Sequence, residues 1–102
     1  MPIYQTASYQ VNLKAVGKVK KAIEEFVEYV KNNEPGTLIY AAWQEKEDET
    51  RFMHFFIFKD ALAHEAHSKS DAVKRFESVY SSELVGKEVI FTDFISVAGK
   101  IE

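Results

Sequence analysis

One seven-residue run limits the fold of this chain more than any other part of it. Phe52-Met53-His54-Phe55-Phe56-Ile57-Phe58 is aromatic or aliphatic at every position but one and does not alternate with polar residues. Residues of this kind favour extended backbone. Successive side chains of a strand point to opposite faces, so a strand built from this run is apolar on both. Its sheet must then be covered on both sides. Arg51 to Phe58 is read as that strand.

The flanking segments give the order of elements. Ala7 to Val16 alternates Tyr9, Val11, Leu13 and Ala15 with Gln10, Asn12 and Lys14, the period-two pattern of a strand with one apolar face. After Gly17 the period changes: Val19, Ile23, Phe26, Val27 and Val30 line one side of a helix from about Lys18 to Asn33. Glu34-Pro35-Gly36 stops it. Lys18, Lys20 and Lys21 stand at the positive end of its dipole, either as solvated side chains or as an anion site. Thr37 to Gln44 reads as a second strand, joined to the Phe-rich strand by the charged tip Glu45-Lys46-Glu47-Asp48-Glu49 in an antiparallel hairpin. That tip lacks the ligand spacing and glycine of a calcium loop. Asp60 caps a short helix opened by Leu62 and Ala66, and Ser70-Asp71 caps its continuation through Val73, Phe76, Val79 and Tyr80. Gly86 ends this region. Lys87 to Val97 forms the last strand, with Val89, Phe91, Ile95 and Val97 on one face and Ile90 and Phe94 on the other.

Strand, helix, strand, strand, helix, strand is the split βαβ order. It predicts an α+β, ferredoxin-like βαββαβ fold, an antiparallel four-stranded sheet with its helices on one face. At 102 residues the whole chain, 1–102, is read as one domain. Two helices cover one face of such a sheet and not two. The chain carries eight Phe, five Tyr and one Trp, more than one small core needs. The other face is therefore expected to pack on a second copy of the same sheet, giving a symmetric homodimer.

Composition excludes several function classes. Thirteen Lys and Arg against sixteen Asp and Glu give a net charge of −3, which argues against nucleic acid or an anionic membrane as partner. The absence of cysteine removes disulfides, thiolate catalysis and thiolate metal sites. No apolar stretch approaches the roughly 18 residues of a membrane span, and the N-terminus does not read as a secretory leader, so a cytoplasmic location is expected. The glycines at 17, 36, 86 and 99 form no nucleotide or flavin fingerprint.

The reactive groups that remain are three histidines, Asn12 and the strand aromatics. His67 is either a partly buried histidine bonded to backbone or a pocket residue whose near-neutral titration suits it to take a proton from a phenol. His64-Glu65-Ala66-His67 falls one residue short of the zinc-protease spacing, and a metal there needs a third ligand such as His54 or a carboxylate. Among so many Phe residues His54 reads as a hydrogen-bonded core or interface histidine. Asn12 either joins a structural network or holds a substrate carbonyl. Tyr40, Trp43, Phe55 and Phe58 are core residues or the wall of an apolar pocket. Pro2 raises an N-terminal proline base of the tautomerase kind, but those enzymes carry it at the start of the first strand, which is predicted several residues later here.

Taken together, Glu34-Pro35-Gly36-Thr37-Leu38-Ile39-Tyr40, the hairpin strand beginning Arg51-Phe52, the helix-borne His67, and Ser70-Asp71 before Val73-Lys74-Arg75-Phe76 resemble the antibiotic biosynthesis monooxygenase domain, from about Ala7 to Ala98. The resemblance implies a dimeric α/β barrel and a cofactor-free monooxygenase acting on a small aromatic or quinol-like substrate. It implies His67 and Asn12 as catalytic residues, a pocket walled by Tyr40, Trp43, Phe55 and Phe58, and neither metal nor cofactor. Phe56 stands where the family usually carries a strand glutamate, Phe58 where it often carries Trp, and Ser70-Asp71 replaces a Ser-Pro step. Haem-degrading relatives share the Asn12 position, but Phe58 and Glu77 replace their Trp and His. A dimeric domain that binds an apolar ligand without turnover is the alternative.

Overall fold

The computed structural model describes residues 1–100. Its elements are β1 (Ile3–Gln10), α1 (Val16–Asn33), β2 (Thr37–Gln44), β3 (Arg51–Phe58), α2 (Ala61–Ser68), α3 (Asp71–Tyr80) and β4 (Ile90–Phe94). All strand pairs are antiparallel, and the sheet order is β2-β3-β1-β4. This is the α+β, ferredoxin-like arrangement that the order of elements predicts. No helix among the described residues is long and apolar enough to cross a membrane.

The helices stop and start where their chemistry directs. Asp60 accepts a hydrogen bond from the Ala63 amide at 2.9 Å, and Ser70 accepts one from Val73 at 3.2 Å, so both predicted N-caps are made. α1 buries Val19, Ile23, Phe26 and Val30, and α3 buries Ala72 and Phe76. These side chains pack on Tyr9 and Phe52 of the sheet to form the main core.

Both outer strands differ from their predicted limits. β1 begins at Ile3 and ends at Gln10, whereas the alternation predicts Ala7 to Val16. Two periods overlap in that stretch, because Ala15 and Val19 lie four residues apart on the inner side of the helical segment. The chain leaves the sheet at Asn12, takes a 3-10 turn over Leu13–Ala15, and leaves Leu13 63% exposed. Val11 keeps a single bridge to Leu84. At the other end, polar Gln5 interrupts the apolar signal of Ile3, Ala7 and Tyr9. Pro2 consequently stands directly before β1, so strand position no longer argues against a proline base; Pro2 does not line the cavity described below. β4 covers only Ile90–Phe94 of the predicted Lys87 to Val97. Gly86 turns the chain at φ 79°, and at the far end pairing stops with Phe94 opposite Tyr4, where β1 is nearly exhausted.

The registers assign every strand side chain to a face. Phe52, His54, Phe56 and Phe58 of β3 point to the helices with Tyr9, Ala7, Gln5 and Ile3 of β1 and Tyr40 and Ala42 of β2. Met53, Phe55 and Ile57 point the other way with Ile39, Ala41 and Trp43 of β2 and Ile90 and Phe94 of β4.

Candidate active site

A cavity of about 370 Å³ lies between the helix-side face of the sheet and α1, α2 and α3. Its wall is largely aromatic. Tyr40 stacks on Phe56 with ring centroids 5.1 Å apart, and Phe26 stacks on Phe76 at the same distance. Two polar groupings interrupt this wall.

The first is on the sheet. His54 is 1% exposed, and its neighbours across β1 and β2 place a tyrosine at each ring nitrogen. The Tyr9 hydroxyl lies 2.7 Å from Nε2 and the Tyr40 hydroxyl 2.7 Å from Nδ1. Both nitrogens are therefore satisfied, as a buried imidazole requires. Burial drives the His54 pKa down to about 4, so the ring is neutral at physiological pH. Burial also pushes the Tyr9 and Tyr40 hydroxyls up, and Tyr80, stacked on Tyr9 at 5.5 Å, is pushed up to about 12.

The second grouping joins α2 to the turn after α1. Glu34 Oε1 lies 2.7 Å from His67 Nδ1 and accepts a hydrogen bond from Thr37 Oγ1 at 2.8 Å. Both the carboxyl and the imidazole are largely buried. A carboxylate only accepts, so Nδ1 carries a proton, and when the ring is neutral Nε2 is left as its acceptor. Oε2 of Glu34 is buried with no partner among the described residues. Gly36 makes this geometry accessible. A Cβ added there would lie 2.6 Å from Ala63 Cβ, so only glycine lets α2 approach the turn this closely.

The structure brings together His67, Tyr40 and Phe58 from the residues selected by sequence, along with Phe56 and Glu77. It does not bring in the others. Asn12 lies past the end of β1, outside the cavity, and donates to Glu83 Oε1 at 3.3 Å. Lys18 ion-pairs with the other oxygen of the same carboxylate at 2.8 Å, which gives that helix-start lysine a partner within the chain. Trp43 and Phe55 stack at 6.4 Å on the opposite face of the sheet, so they cannot wall a pocket beneath the helices. The sequence reading also missed three residues. Glu34 was legible as part of a helix stop and of the turn that carries the resemblance but not as a partner of His67, Tyr9 as one apolar position in an alternating strand, and His54 as a core histidine without its tyrosines. His64 and His67 both line the cavity, but among the described residues no three His, Asp or Glu side chains converge to hold a metal.

The chemistry available here is proton transfer at His67 Nε2 and hydrogen bonding at the tyrosine hydroxyls, in a largely aromatic pocket. Solved structures share the fold. A Bacteroides thetaiotaomicron protein provisionally named an antibiotic biosynthesis monooxygenase superposes with a TM-score of 0.90 at 16% identity, over 99% of this chain and 94% of its own. A provisionally named Caulobacter crescentus counterpart gives 0.86 at 21% identity, over 95% and 91%. A conserved protein of Methanosarcina mazei gives 0.82 at 23% identity, over 92% and 91%. No functionally curated protein matches the sequence. The sequence profile described as antibiotic biosynthesis monooxygenase matches residues 2–78, most of the chain, and on that match the chain belongs to the antibiotic biosynthesis monooxygenase family.

Proposed function

We propose that this protein is a cofactor-independent monooxygenase of small aromatic or quinol-like substrates, with His67 as its general base. The observation that carries this reading is the Glu34–His67 pair at the edge of an aromatic cavity: the carboxylate fixes the tautomer that leaves Nε2 able to accept a proton. His67 takes the hydroxyl proton of a bound phenol. The phenolate passes one electron to dioxygen, and the radical pair combines to form a carbon–oxygen bond. The ring hydrogen at that carbon then leaves as a proton, the O–O bond breaks, and the outer oxygen departs as water. One oxygen atom remains as a carbonyl, and all the electrons come from substrate and dioxygen. Tyr40 and Phe58 wall the substrate.

The functional unit is a homodimer through the open sheet face. On that face Trp43, Ile90 and Phe94 are 53%, 57% and 50% exposed, and Phe55 stacks beside Trp43. So many large apolar side chains on one flat surface favour a second sheet as cover.

Oxygen uptake with a panel of quinols and polyphenols tests the reading. Turnover is expected with at least one member, and His67→Ala is expected to lower kcat about a hundredfold or more. Full activity in His67→Ala removes it as the base. Phe56, in the position of the family's strand glutamate, favours one other outcome: aromatic compounds that bind without oxygen uptake, as in a non-catalytic small-molecule-binding domain.

A further inference from the structure

The Tyr9–His54–Tyr40 chain has one more hydrogen than its own bonds use. Two hydroxyls and a neutral imidazole carry three polar hydrogens, and the two contacts to the ring consume two. The third must point outward from one end. Both tyrosines line the cavity, and among the described residues neither hydroxyl has a second protein acceptor.

The field of a neighbour decides which end it is. Burial, then Tyr9 and Tyr80, and last the Glu34 carboxylate hold the Tyr40 pKa up, whereas the causes at Tyr9 are burial and Tyr80 without Glu34, so of the two hydroxyls Tyr40 is the one that feels the Glu34 charge. A nearby negative charge favours the Tyr40 hydrogen turned toward the Glu34 and His67 side of the cavity, away from His54. The ring of Tyr40 is also the one adjacent to His67, with centroids 5.7 Å apart. The order of donation is then Tyr9 O–H to His54 Nε2, His54 Nδ1–H to the Tyr40 oxygen, and Tyr40 O–H to the cavity. Each bond in such a chain polarises the next, which strengthens the terminal donor. No member of the chain ionises readily in its buried surroundings, so the chain stays a neutral, fixed dipole.

We propose that Tyr40, oriented by His54 and Tyr9, is a hydrogen-bond donor for a substrate carbonyl, so that the cavity selects flat aromatic ligands carrying both a hydroxyl, taken by His67 Nε2, and a carbonyl oxygen. The proposal rests on the assignment of His67 above. Tyr40 is a binding residue; His54 and Tyr9 are positioning residues that act through it. A ligand with only one of the two groups leaves a buried donor or acceptor unmatched, which is how a polar site rejects an analogue of the same shape.

Two measurements test this on the intact protein. In nitrogen-15 NMR of the wild type, His54 is expected as the neutral tautomer protonated on Nδ1; a neutral His54 protonated on Nε2 overturns the donor assignment. Titration calorimetry then compares three redox-inert probes: a hydroxytetralone with its hydroxyl on the aromatic ring, its methyl ether, and the hydroxytetralin that lacks the ketone. The hydroxytetralone is expected to bind about tenfold or more tightly than either analogue. Tyr40→Phe is expected to abolish the preference for the ketone while keeping the preference for hydroxyl over methyl ether. Equal binding of all three probes by the wild type overturns the proposal, as does an undiminished ketone preference in Tyr40→Phe. None of the probes need turn over, so failed oxygen uptake with retained probe selectivity refutes the oxygenase reading alone. Oxygen uptake without probe selectivity refutes this inference alone.

Discussion

The two faces of one sheet set the same strand in different surroundings. On the helix side, β3 presents Phe52, His54, Phe56 and Phe58, all buried. The polar atoms there are bonded in sequence, from Tyr9 through His54 to Tyr40, with Glu34 on His67 alongside. On the open side the same strand presents Met53 and Phe55 beside Trp43, Ile90 and Phe94, a broad apolar surface. A face meant for chemistry needs polar groups in a dry place, and each must be satisfied. A face meant for association needs area and complementarity instead. One apolar run supplies both faces, because only its even-numbered members meet helices.

The largest effect should fall on the covered face. His54 has a folded pKa of about 4 against 6.5 unfolded, so the unfolded chain binds more protons between these values. Stability is then complete above pH 6.5 and is lost as pH falls toward 4, by about 3 kcal/mol in all. Asp48 and Glu83, whose carboxyls are lowered by the Thr50 hydroxyl and by Lys18 respectively, lose their contributions only below the ordinary carboxylate range. The interval from pH 6.5 to 4.5 therefore belongs largely to His54. Urea unfolding across that interval should show the slope in the wild type and not in His54→Leu. The variant should also lose about 2 to 4 kcal/mol at pH 7, because two buried tyrosine hydroxyls lose their partner. An unchanged pH slope in the variant would remove His54 as the buried titrating group.

The open face supplies the next effect. Trp43→Asp or Phe55→Asp should raise the dimer dissociation constant about thirtyfold or more while circular dichroism stays native. Sedimentation equilibrium measures it. A monomeric wild type at micromolar concentration, or a dimer indifferent to both changes, would break the comparison between the faces.

The sequence made the fold legible because its signals were local and long. β2 and β3 match their predicted limits, and both helix caps on the second crossover are made, since hydroxyl or carboxyl caps and aromatic runs act within a few residues. The ends of β1 and β4 were not legible. Where β1 stops depends on the chain turning into α1, and where β4 stops depends on how much of β1 is left to pair with it. The site was legible in His67, Tyr40 and Phe58 and obscure elsewhere. Trp43 and Tyr40 are three residues apart on one strand, so alternation sets them on opposite faces, but which of the two shares the helix-side face with His54 and Phe56 follows only from the register. The Glu34–His67 bond spans 33 residues, a distance at which no spacing rule operates.

A smaller effect tests the turn that holds Glu34 under His67. Gly36→Ala forces a Cβ against Ala63, so α2 must shift outward. The expected loss is about 1 to 2 kcal/mol, with a weaker grip of Glu34 on His67 and lower kcat. Gly17→Ala is the control, since a Cβ there meets nothing within 4 Å and alanine suits a helix better than glycine. Thermal melts that rank Gly17→Ala at or above wild type and Gly36→Ala below it support close packing as the cause. Equal melts for the two variants would show that α2 tolerates the extra methyl and that the turn does not set the position of His67.

The smallest effect belongs to a residue on neither face. Asn12 stands where the strand has already ended, and its side chain donates to Glu83, a carboxylate that Lys18 also engages at the protein surface. Exposed pairs of this kind contribute little, so Asn12→Ala should change stability by about 0.5 kcal/mol or less. Its effect on probe affinity or on kcat should stay within about twofold, because no cavity residue rests on it. A tenfold loss of kcat with unchanged stability would return Asn12 to the reaction and would mean that substrate reaches beyond the cavity to the end of β1. Set beside His67→Ala, the pair of variants separates the two residues that the family resemblance couples: one bonded into the pocket by Glu34, the other held away from it by Glu83.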